Sequence, residues 1–279
     1  MITKTWTVNG ETFTFGMPFN LEYIEGMGGA PAEIKTQRAP YQNGVTVREK
    51  NQKERLLTLY VEVFADSEEQ LLERRAYMTR LFNALNEPGI FTYGDRAIAA
   101  EVDGGPRFTR ARGHSTPMII HLLAPDPNFY DPVEEVINLV GFRGGWSFPW
   151  KFPRTFGVVG ASATATNRGN VSTPVIITVT GYTRYPMIEN ETTGERIIVD
   201  IEIPEGRILE ITTQFNNKRV EIVDLDGNNR ESVFYNVVRD EKYSLWEMVP
   251  GDNNIRYTAA EESGDAGASI RYFHRYSGV

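Results

Sequence analysis

Cysteine is absent from all 279 residues of the sequence. Disulfide frameworks and thiolate metal sites are therefore excluded. A chain of this length can bury a sizeable core without such cross-links, so the absence does not argue against a stable globular protein. It also leaves the redox compartment open, because there is no thiol to oxidise.

Long hydrophobic runs are also missing. The longest apolar stretches, such as residues 118–124, have the length of a strand and fall far short of the ~20 residues that a membrane span needs. The N-terminus lacks the basic segment and apolar run of a secretory signal. We therefore expect a protein that folds in the cytoplasm and has no membrane partner.

Groups suited to catalysis are scarce. None of the three histidines, His114, His121 and His274, has a two-histidine metal spacing. A Gly-x-Ser-x-Gly elbow is missing, and residues 157–162 lack the lysine of a phosphate loop. Residues 224–229 resemble half of a calcium loop, which a simple Asp-Gly turn explains better. We expect no enzyme activity, no catalytic residue, no metal and no cofactor.

Positive charge is in deficit, since the formal net charge is -8. Nucleic-acid affinity depends on Lys and Arg that displace counterions, so specific nucleic-acid binding is not expected. The arginine-containing segment 107–112 is better explained as a solvated edge strand or loop.

Most of the chain has the alternation of β-strands. Residues 3–8 and 11–15 alternate on either side of Asn9-Gly10, which predicts a hairpin because both turn positions need a positive φ. Three further strands are predicted in the first half, at residues 45–47, 56–64 and 118–123. Strands at 174–181, 196–203, 207–213 and 220–225, the last followed by an Asp226-Gly227 turn, indicate a β-sandwich in the second half.

One helix is predicted, over residues 67–86. Ser67 and Gln70 have capping-box spacing, and Pro88-Gly89 ends the pattern. The apolar residues at helical spacing are Leu71, Met78, Leu81, Phe82 and Leu85. We expect this stripe to pack on the sheet of its own domain, with a subunit contact as the alternative.

A change of composition marks a domain boundary. Residues 141–160 are rich in Gly, Pro and aromatics and contain no long regular pattern. We therefore divide the chain into a first domain at 1–140 and a second domain at 141–279.

Several motifs, taken in order, resemble the distal tail protein (Dit) family of siphophages. The first is the strand at 56–65, followed by Ser67-Glu68-Glu69 and the helix. The second is a strand that ends in Asp126-Pro127 plus aromatics. The others are residues 167–170, Thr173-Pro174, 187–195, 246–255 and the closing strand at 270–279. Residues 16–44 and 141–166 carry no motif of the family.

The resemblance implies a mainly β fold, with an N-terminal β domain that has one helix and a C-terminal galectin-like β-sandwich. It implies a structural role in the virion, as a hexameric ring between the tail tube and the tip or baseplate. The implied partners are further copies of the chain, the tail tube protein and the tail-associated hub or lysin protein, with the tape measure and receptor-binding proteins as additional candidates.

Lectin activity is not expected from the resemblance. The galectin sugar motif, His-x-Asn-Pro-Arg followed by Trp-x-x-Glu, is absent, and residues 152–154 and Trp246-Glu247 are only partial matches. The alternative is a carbohydrate-binding or adhesion protein with a sandwich domain, in which Trp146, Trp150 and Trp246 stack on sugars. A glycan array separates the two functions.

A closed ring needs two unlike surfaces on each copy, one matching the other on its neighbour. The candidate segments are the first hairpin, a long Gly-containing loop over residues 23–42 and the helix region. The candidate subunit-interface residues are Trp6, Phe13, Phe15, Tyr23, Met27 and Tyr41. The negative net charge adds the hypothesis that the ring lumen repels DNA during its passage.

Overall fold

The computed structural model describes residues 2–140, 160–263 and 266–279. The chain forms two compact units. Unit 1 comprises Met1–Pro132 together with Tyr276–Val279, and unit 2 comprises Val133–Arg275. The chain therefore returns to unit 1 at its end. Most of the segment predicted as a boundary, residues 141–159, lies outside the described residues.

Unit 1 contains eleven of the described strands and one helix. They are β1 (Lys4–Val8), β2 (Glu11–Thr14), β3 (Phe19–Glu25), β4 (Ala32–Gln37), β5 (Thr46–Gln52), β6 (Arg55–Phe64), α1 (Glu68–Leu81), β7 (Gly89–Tyr93), β8 (Arg96–Val102), β9 (Arg107–Phe108), β10 (Ser115–Ala124) and β11 (Phe129–Tyr130).

The main sheet of unit 1 follows the order β2-β1-β7-β8-β10-β6-β3. The predicted first hairpin is confirmed, with Val8 opposite Glu11 and with positive φ at Asn9 (49°) and Gly10 (77°). The predicted strands at 56–64 and 118–123 are confirmed as β6 and β10. Strands β4 and β5 pair only with each other and form a separate two-stranded sheet.

Helix α1 packs on the core of unit 1 and is shorter than its sequence pattern predicts. Ser67 caps it by accepting a hydrogen bond from the Gln70 amide. It ends at Leu81, because the Asn86 side chain donates to the carbonyls of Arg80 and Leu81 (3.2 and 3.1 Å) and closes the last turn. Its buried residues are Leu71, Met78 and Leu81, followed by Phe82 just beyond the helix. Leu85 lies past this turn and is exposed.

Unit 2 consists of short strands and one short 3-10 helix at Phe234–Asn236. Its strands are β12 (Glu135–Val140), β13 (Gly160–Asn167), β14 (Val175–Thr180), β15 (Thr183–Arg184), β16 (Met187–Asn190), β17 (Glu195–Ile198), β18 (Glu202–Ile203), β19 (Arg207–Thr212), β20 (Arg219–Asp224), β21 (Glu231–Ser232), β22 (Gly251–Thr258), β23 (Glu261–Glu262) and β24 (Gly267–Tyr272), and β25 (Arg275–Tyr276) crosses into unit 1.

Two sheets of unit 2 share one hydrophobic core. One has the order β12-β24-β14-β19-β20-β21, and the other has the order β13-β22-β16-β17. Ile177 and Leu209 from the first sheet and Ile188 and Ile255 from the second belong to the same buried cluster. This arrangement is a two-layer β-sandwich. The stretch predicted as one strand at 196–203 is divided between β17 and β18.

The units divide the chain at residues 132 and 133, ahead of the sequence-based boundary. The reason is strand β12, which pairs with β24 over Glu135↔Tyr272 to Val140↔Gly267. The fold is mainly β with one α-helix among the described residues, as predicted. The galectin-like character of unit 2 stays a prediction.

The lengths of the helices can be compared with the length that a membrane-spanning helix needs. Across the three described ranges, no helix combines the length and the apolar composition that a membrane span requires.

Candidate functional site

Three of the six candidate interface residues lie inside the core of unit 1. Trp6, Phe13 and Phe15 expose 0%, 6% and 9% of their surface. The Trp6 ring stacks on Phe82 with 5.5 Å between ring centroids. These side chains stabilise their own unit and offer almost no surface to a second copy.

The other three candidates are at least partly accessible, and the structure does not gather all of them at one place. Tyr23 is 59% exposed, and Tyr41 is fully exposed in the turn between β4 and β5. Met27 is partly buried against the core of unit 1. Tyr23 and Met27 line the same shallow cavity, of about 290 Å³, which also contacts Lys4 and Val279.

The sheet formed by β4 and β5 is the most exposed element of unit 1, and we call residues 32–52 the arm. Every residue of both strands is exposed. Residues 23–42 were predicted to be a long loop. This prediction is wrong over residues 23–25, which end strand β3, and over Ala32–Gln37, which form strand β4. The apolar alternation of a half-buried strand is missing there because neither side of the arm packs on a core. The signal that could have found it is Asn43-Gly44, where Gly44 has φ 79°.

The arm has two unlike faces. Strand register places Ile34 opposite Lys50 and Thr36 opposite Val47, and these residues share one face. Ile34 and Val47 are 54% and 49% exposed. We call this the apolar arm face.

The charged side chains on the opposite side of the arm form hydrogen bonds with other side chains of the arm. Lys35 donates to Glu49 at 2.8 Å, and Arg48 donates to Gln37 Oε1 at 2.6 Å. The Lys35 ammonium holds the pKa of Glu49 below its ordinary value. This side suits water. On the apolar arm face, Ile34 and Val47 are about half exposed, and the Gln52 side chain accepts a hydrogen bond from Asn128 at 2.9 Å.

Arg55, at the start of β6, holds residues 26–28 in place. These residues precede the arm, and we call them its root. Its guanidinium is buried, and its four carbonyl acceptors are Pro127 (2.6 Å), Gly28 (2.7 Å), Ser277 (2.6 Å) and Gly26. The guanidinium also lies over the Phe129 ring, 4.9 Å from its centroid. Burial lowers the pKa of Arg55. One side chain thus connects the loop before the arm to the closing residues of the chain.

The sheet of unit 1 has a second surface that faces away from the core, and we call it the outer face. Along β6 and β10 alternate residues enter the core, as Val61 and Ile120 do. The residues between them are partly buried or exposed, except Thr58, which is buried. The apolar members of the outer face are Tyr23, Leu56, Tyr60, Phe64, Pro117, Ile119 and Leu123.

Three carboxylates accompany these apolar side chains. Tyr60 donates to Glu25 at 3.3 Å, Ser115 donates to Glu62 at 2.8 Å, and Glu101 lies opposite Leu123. Desolvation raises the pKa of Tyr60, and the Glu25 carboxylate adds to the shift. None of the three carboxylates forms an ion pair with a described residue.

His274, His121 and Asp226, which were considered for chemistry, each form local hydrogen bonds or contacts within the fold. His274 is buried and accepts a hydrogen bond from the Arg168 amide at 3.2 Å. His121 contacts the Thr58 hydroxyl at 3.2 Å. The Asp226 carboxylate accepts from the Asn228 amide at 3.1 Å, as expected of a turn. No group of three metal-ligating side chains occurs within residues 2–140, 160–263 and 266–279.

Trp246, one of the three tryptophans considered for sugar stacking, does not present an open ring surface. Trp246 is 1% exposed and its indole nitrogen donates to the Ile188 carbonyl at 3.4 Å. Trp146, Trp150 and the partial motif at 152–154 lie outside the described residues. Two accessible surfaces of unit 1 are left, the apolar arm face and the outer face of the sheet. Surfaces of this kind are suited to binding a protein.

Comparison with known proteins gives one family match. Residues 168–276 match the model of the siphovirus-type tail component, C-terminal domain. No curated protein is significantly similar in sequence.

Two solved structures share the fold. The crystal structure of SPP1 Dit, described as a paradigm of the hub adsorption apparatus in phages that infect Gram-positive bacteria, has a TM-score of 0.71 at 14% identity, over 98% of each chain. A chain of the phage p2 baseplate in its activated conformation with strontium has a TM-score of 0.50 at 9% identity, over 97% of this chain and 98% of that chain. Residues 168–276 are therefore similar to the C-terminal domain of a siphovirus-type tail component, and the whole chain shares its fold with SPP1 Dit.

Proposed function

We propose that this protein is the distal tail hub subunit of a siphophage, and that six copies close into a ring between the tail tube and the tail tip or baseplate. The ring holds its partners by surface contacts and carries out no bond-making chemistry. Its partners are the tail tube protein and the tail-associated hub or lysin protein, with the tape measure and receptor-binding proteins as further candidates. Assembly takes place in the host cytoplasm.

The arm is the observation that carries this proposal. An isolated two-stranded sheet is marginally stable in water unless a third strand, a helix or an apolar surface supports it. Here both strands are exposed along their whole length, and Ile34 and Val47 face solvent. A neighbouring copy in a ring supplies the missing support. The same contact covers two open strand edges, which otherwise favour aggregation.

The outer face supplies a second surface that differs from the first. A ring with head-to-tail contacts needs two such unlike surfaces, and the rotation between copies must close. The buried candidates Trp6, Phe13 and Phe15 are not needed for this contact, whereas Tyr23 on the outer face and Tyr41 in the arm are available to it.

Mass measurement of the full chain tests the proposal. Light scattering and native mass spectrometry over a range of concentrations should give a species of about six times the 31.6 kDa chain. Amide hydrogen exchange in the arm should slow when this species forms, because neighbouring copies then protect its hydrogen bonds. A chain that stays monomeric at every concentration, and also with the tail tube and hub proteins added, contradicts the ring.

A further inference from the structure

We infer that the segment 107–115 of unit 1 is a binding site for an extended, acidic segment of a partner protein. These residues run from strand β9 through a tight turn into strand β10, and we call them the arginine ribbon. The inference concerns a single copy of the chain and does not depend on the proposed ring. It adds a surface and the chemistry of the partner that this surface fits.

The arginine ribbon concentrates positive charge in an acidic chain. Arg107, Arg110 and Arg112 lie within six residues, and the stretch 104–115 contains no Asp or Glu, although the formal net charge of the chain is -8. All three side chains are exposed. A local excess of positive charge of this kind attracts carboxylates and selects the partner that carries them.

The three ribbon arginines lack the carboxylate partners that most arginines of unit 2 have. Arg230, for example, lies 2.9 Å from Glu210 and from Glu221. None of the ribbon arginines forms an ion pair or a side-chain hydrogen bond within residues 2–140, 160–263 and 266–279. Their guanidinium groups are therefore available to a partner, and a planar guanidinium can bind a carboxylate through two parallel hydrogen bonds.

Backbone pairing sets the spacing of two of these arginines. Strand register places Arg107 opposite Ile119. Further along, Arg112 and Ser115 exchange backbone hydrogen bonds of 2.8 and 3.2 Å around a turn in which Gly113 has φ 61°. Because Ser115 and Ile119 are four residues apart on β10, Arg107 and Arg112 lie on the same face of the ribbon, separated by about 13 Å along the strand.

Contacts with the helix region hold the arginine ribbon in place. The Arg75 guanidinium of helix α1 lies over the Phe108 ring, 4.6 Å from its centroid. The Ala65 amide, which precedes the helix, donates to the His114 carbonyl at 2.8 Å. A surface that is already ordered loses little conformational entropy when it binds a partner.

An acidic protein segment suits the ribbon better than a nucleic acid does. Nucleic-acid affinity depends on many cations that neutralise phosphates at once, and the net negative charge of the chain repels a long polyanion. Carboxylates four residues apart on an extended segment are separated by about 13 Å, which matches the spacing of Arg107 and Arg112. We therefore expect a partner whose acidic residues recur at this interval.

Fluorescence anisotropy with the full chain tests the site. The probes are a labelled oligoglutamate peptide, an oligoglutamine peptide of the same length and a short DNA duplex. We expect the oligoglutamate to bind, the oligoglutamine to show no binding, and the affinity to fall as the salt concentration rises, because exposed charges are screened. Absence of oligoglutamate binding, or tighter binding of the DNA duplex, overturns the inference.

Substitutions locate the binding site. The R107A/R110A/R112A variant should bind oligoglutamate about tenfold more weakly, since it removes three exposed ion pairs of modest strength. The matched control, R38A/R48A/R239A, removes three exposed arginines elsewhere and changes the net charge equally. It should weaken binding less than about twofold. Circular dichroism checks that both variants fold, and equal losses from the two would show that only the net charge matters.

Two peptides of equal composition test the spacing. Both have three glutamates in a threonine background, at every fourth position in one peptide and consecutive in the other. The first should bind several-fold more tightly, because only its carboxylates reach both Arg107 and Arg112 along an extended chain. Equal binding, or a preference for consecutive glutamates, contradicts the proposed geometry.

Discussion

Unit 1 contains two antiparallel hairpins that differ in what stabilises them. The β1–β2 hairpin sends Trp6 and Phe13 into the core, where they are 0% and 6% exposed. The arm, formed by β4 and β5, sends no side chain into any core. Both hairpins are antiparallel, but β1 also pairs with β7, whereas β4 and β5 pair only with each other. The first hairpin is stabilised by its buried face, whereas Ile34 and Val47 on the arm are about half exposed in this chain.

The largest expected difference between the two hairpins concerns the core. Trp6→Ala should lower the free energy of unfolding of unit 1 by about 3–5 kcal/mol, because it removes a fully buried indole and leaves a cavity. Tyr41→Ala, its counterpart in the arm, should stay within about 0.5 kcal/mol. Urea denaturation of both variants checks this. Similar losses from the two variants would mean that the arm is packed in the isolated chain.

The next largest effect concerns the root of the arm. Arg55→Met should lower the free energy of unfolding by about 2–3 kcal/mol, because buried carbonyl oxygens lose their donors. Thermal denaturation gives the size of the loss, and limited proteolysis should show earlier cleavage near Gly26 and Gly28. Arg48→Met, which removes an exposed arginine of the arm, is the control and should leave both measurements nearly unchanged.

A smaller difference is expected in the response to acid. Each hairpin has one carboxyl group with a lowered pKa. Arg80 and Tyr77 on helix α1 lower the pKa of Glu11 from 4.5. Lys35 lowers that of Glu49 from 4.5, within the arm itself. A lowered folded-state pKa means stabilisation that is present above about pH 4.5 and is lost as the pH falls through the folded-state pKa.

Glu11→Gln should therefore destabilise unit 1 at pH 7 and lose this effect near pH 3. Glu49→Gln should leave the unfolding of unit 1 unchanged at both values, because its partner Lys35 also belongs to the arm. Thermal denaturation at pH 7 and pH 3 checks the pair. A destabilisation by Glu11→Gln that is the same at both pH values contradicts an electrostatic origin.

The sequence predicted elements well wherever a local pattern coincided with burial. The Asn9-Gly10 turn, strand β6 and the Ser67 cap were found because each depends on residues close in the chain. The arm was missed over its first strand because a sheet exposed on both sides has no alternation to detect. Three candidate interface residues turned out to be core, since an aromatic side chain has the same appearance in a sequence whether it packs on its own sheet or on a neighbour.

By itself, the sequence determined the class of the protein: mainly β, acidic, without thiols, and similar in the order of its motifs to one family of tail proteins. Tertiary structure alone decided which aromatics remain accessible, that the last residues return to unit 1, and that Arg55 joins three distant segments of the chain. The physical reason is that burial and long-range hydrogen bonds depend on pairing between strands far apart in the chain. A local pattern does not encode that pairing.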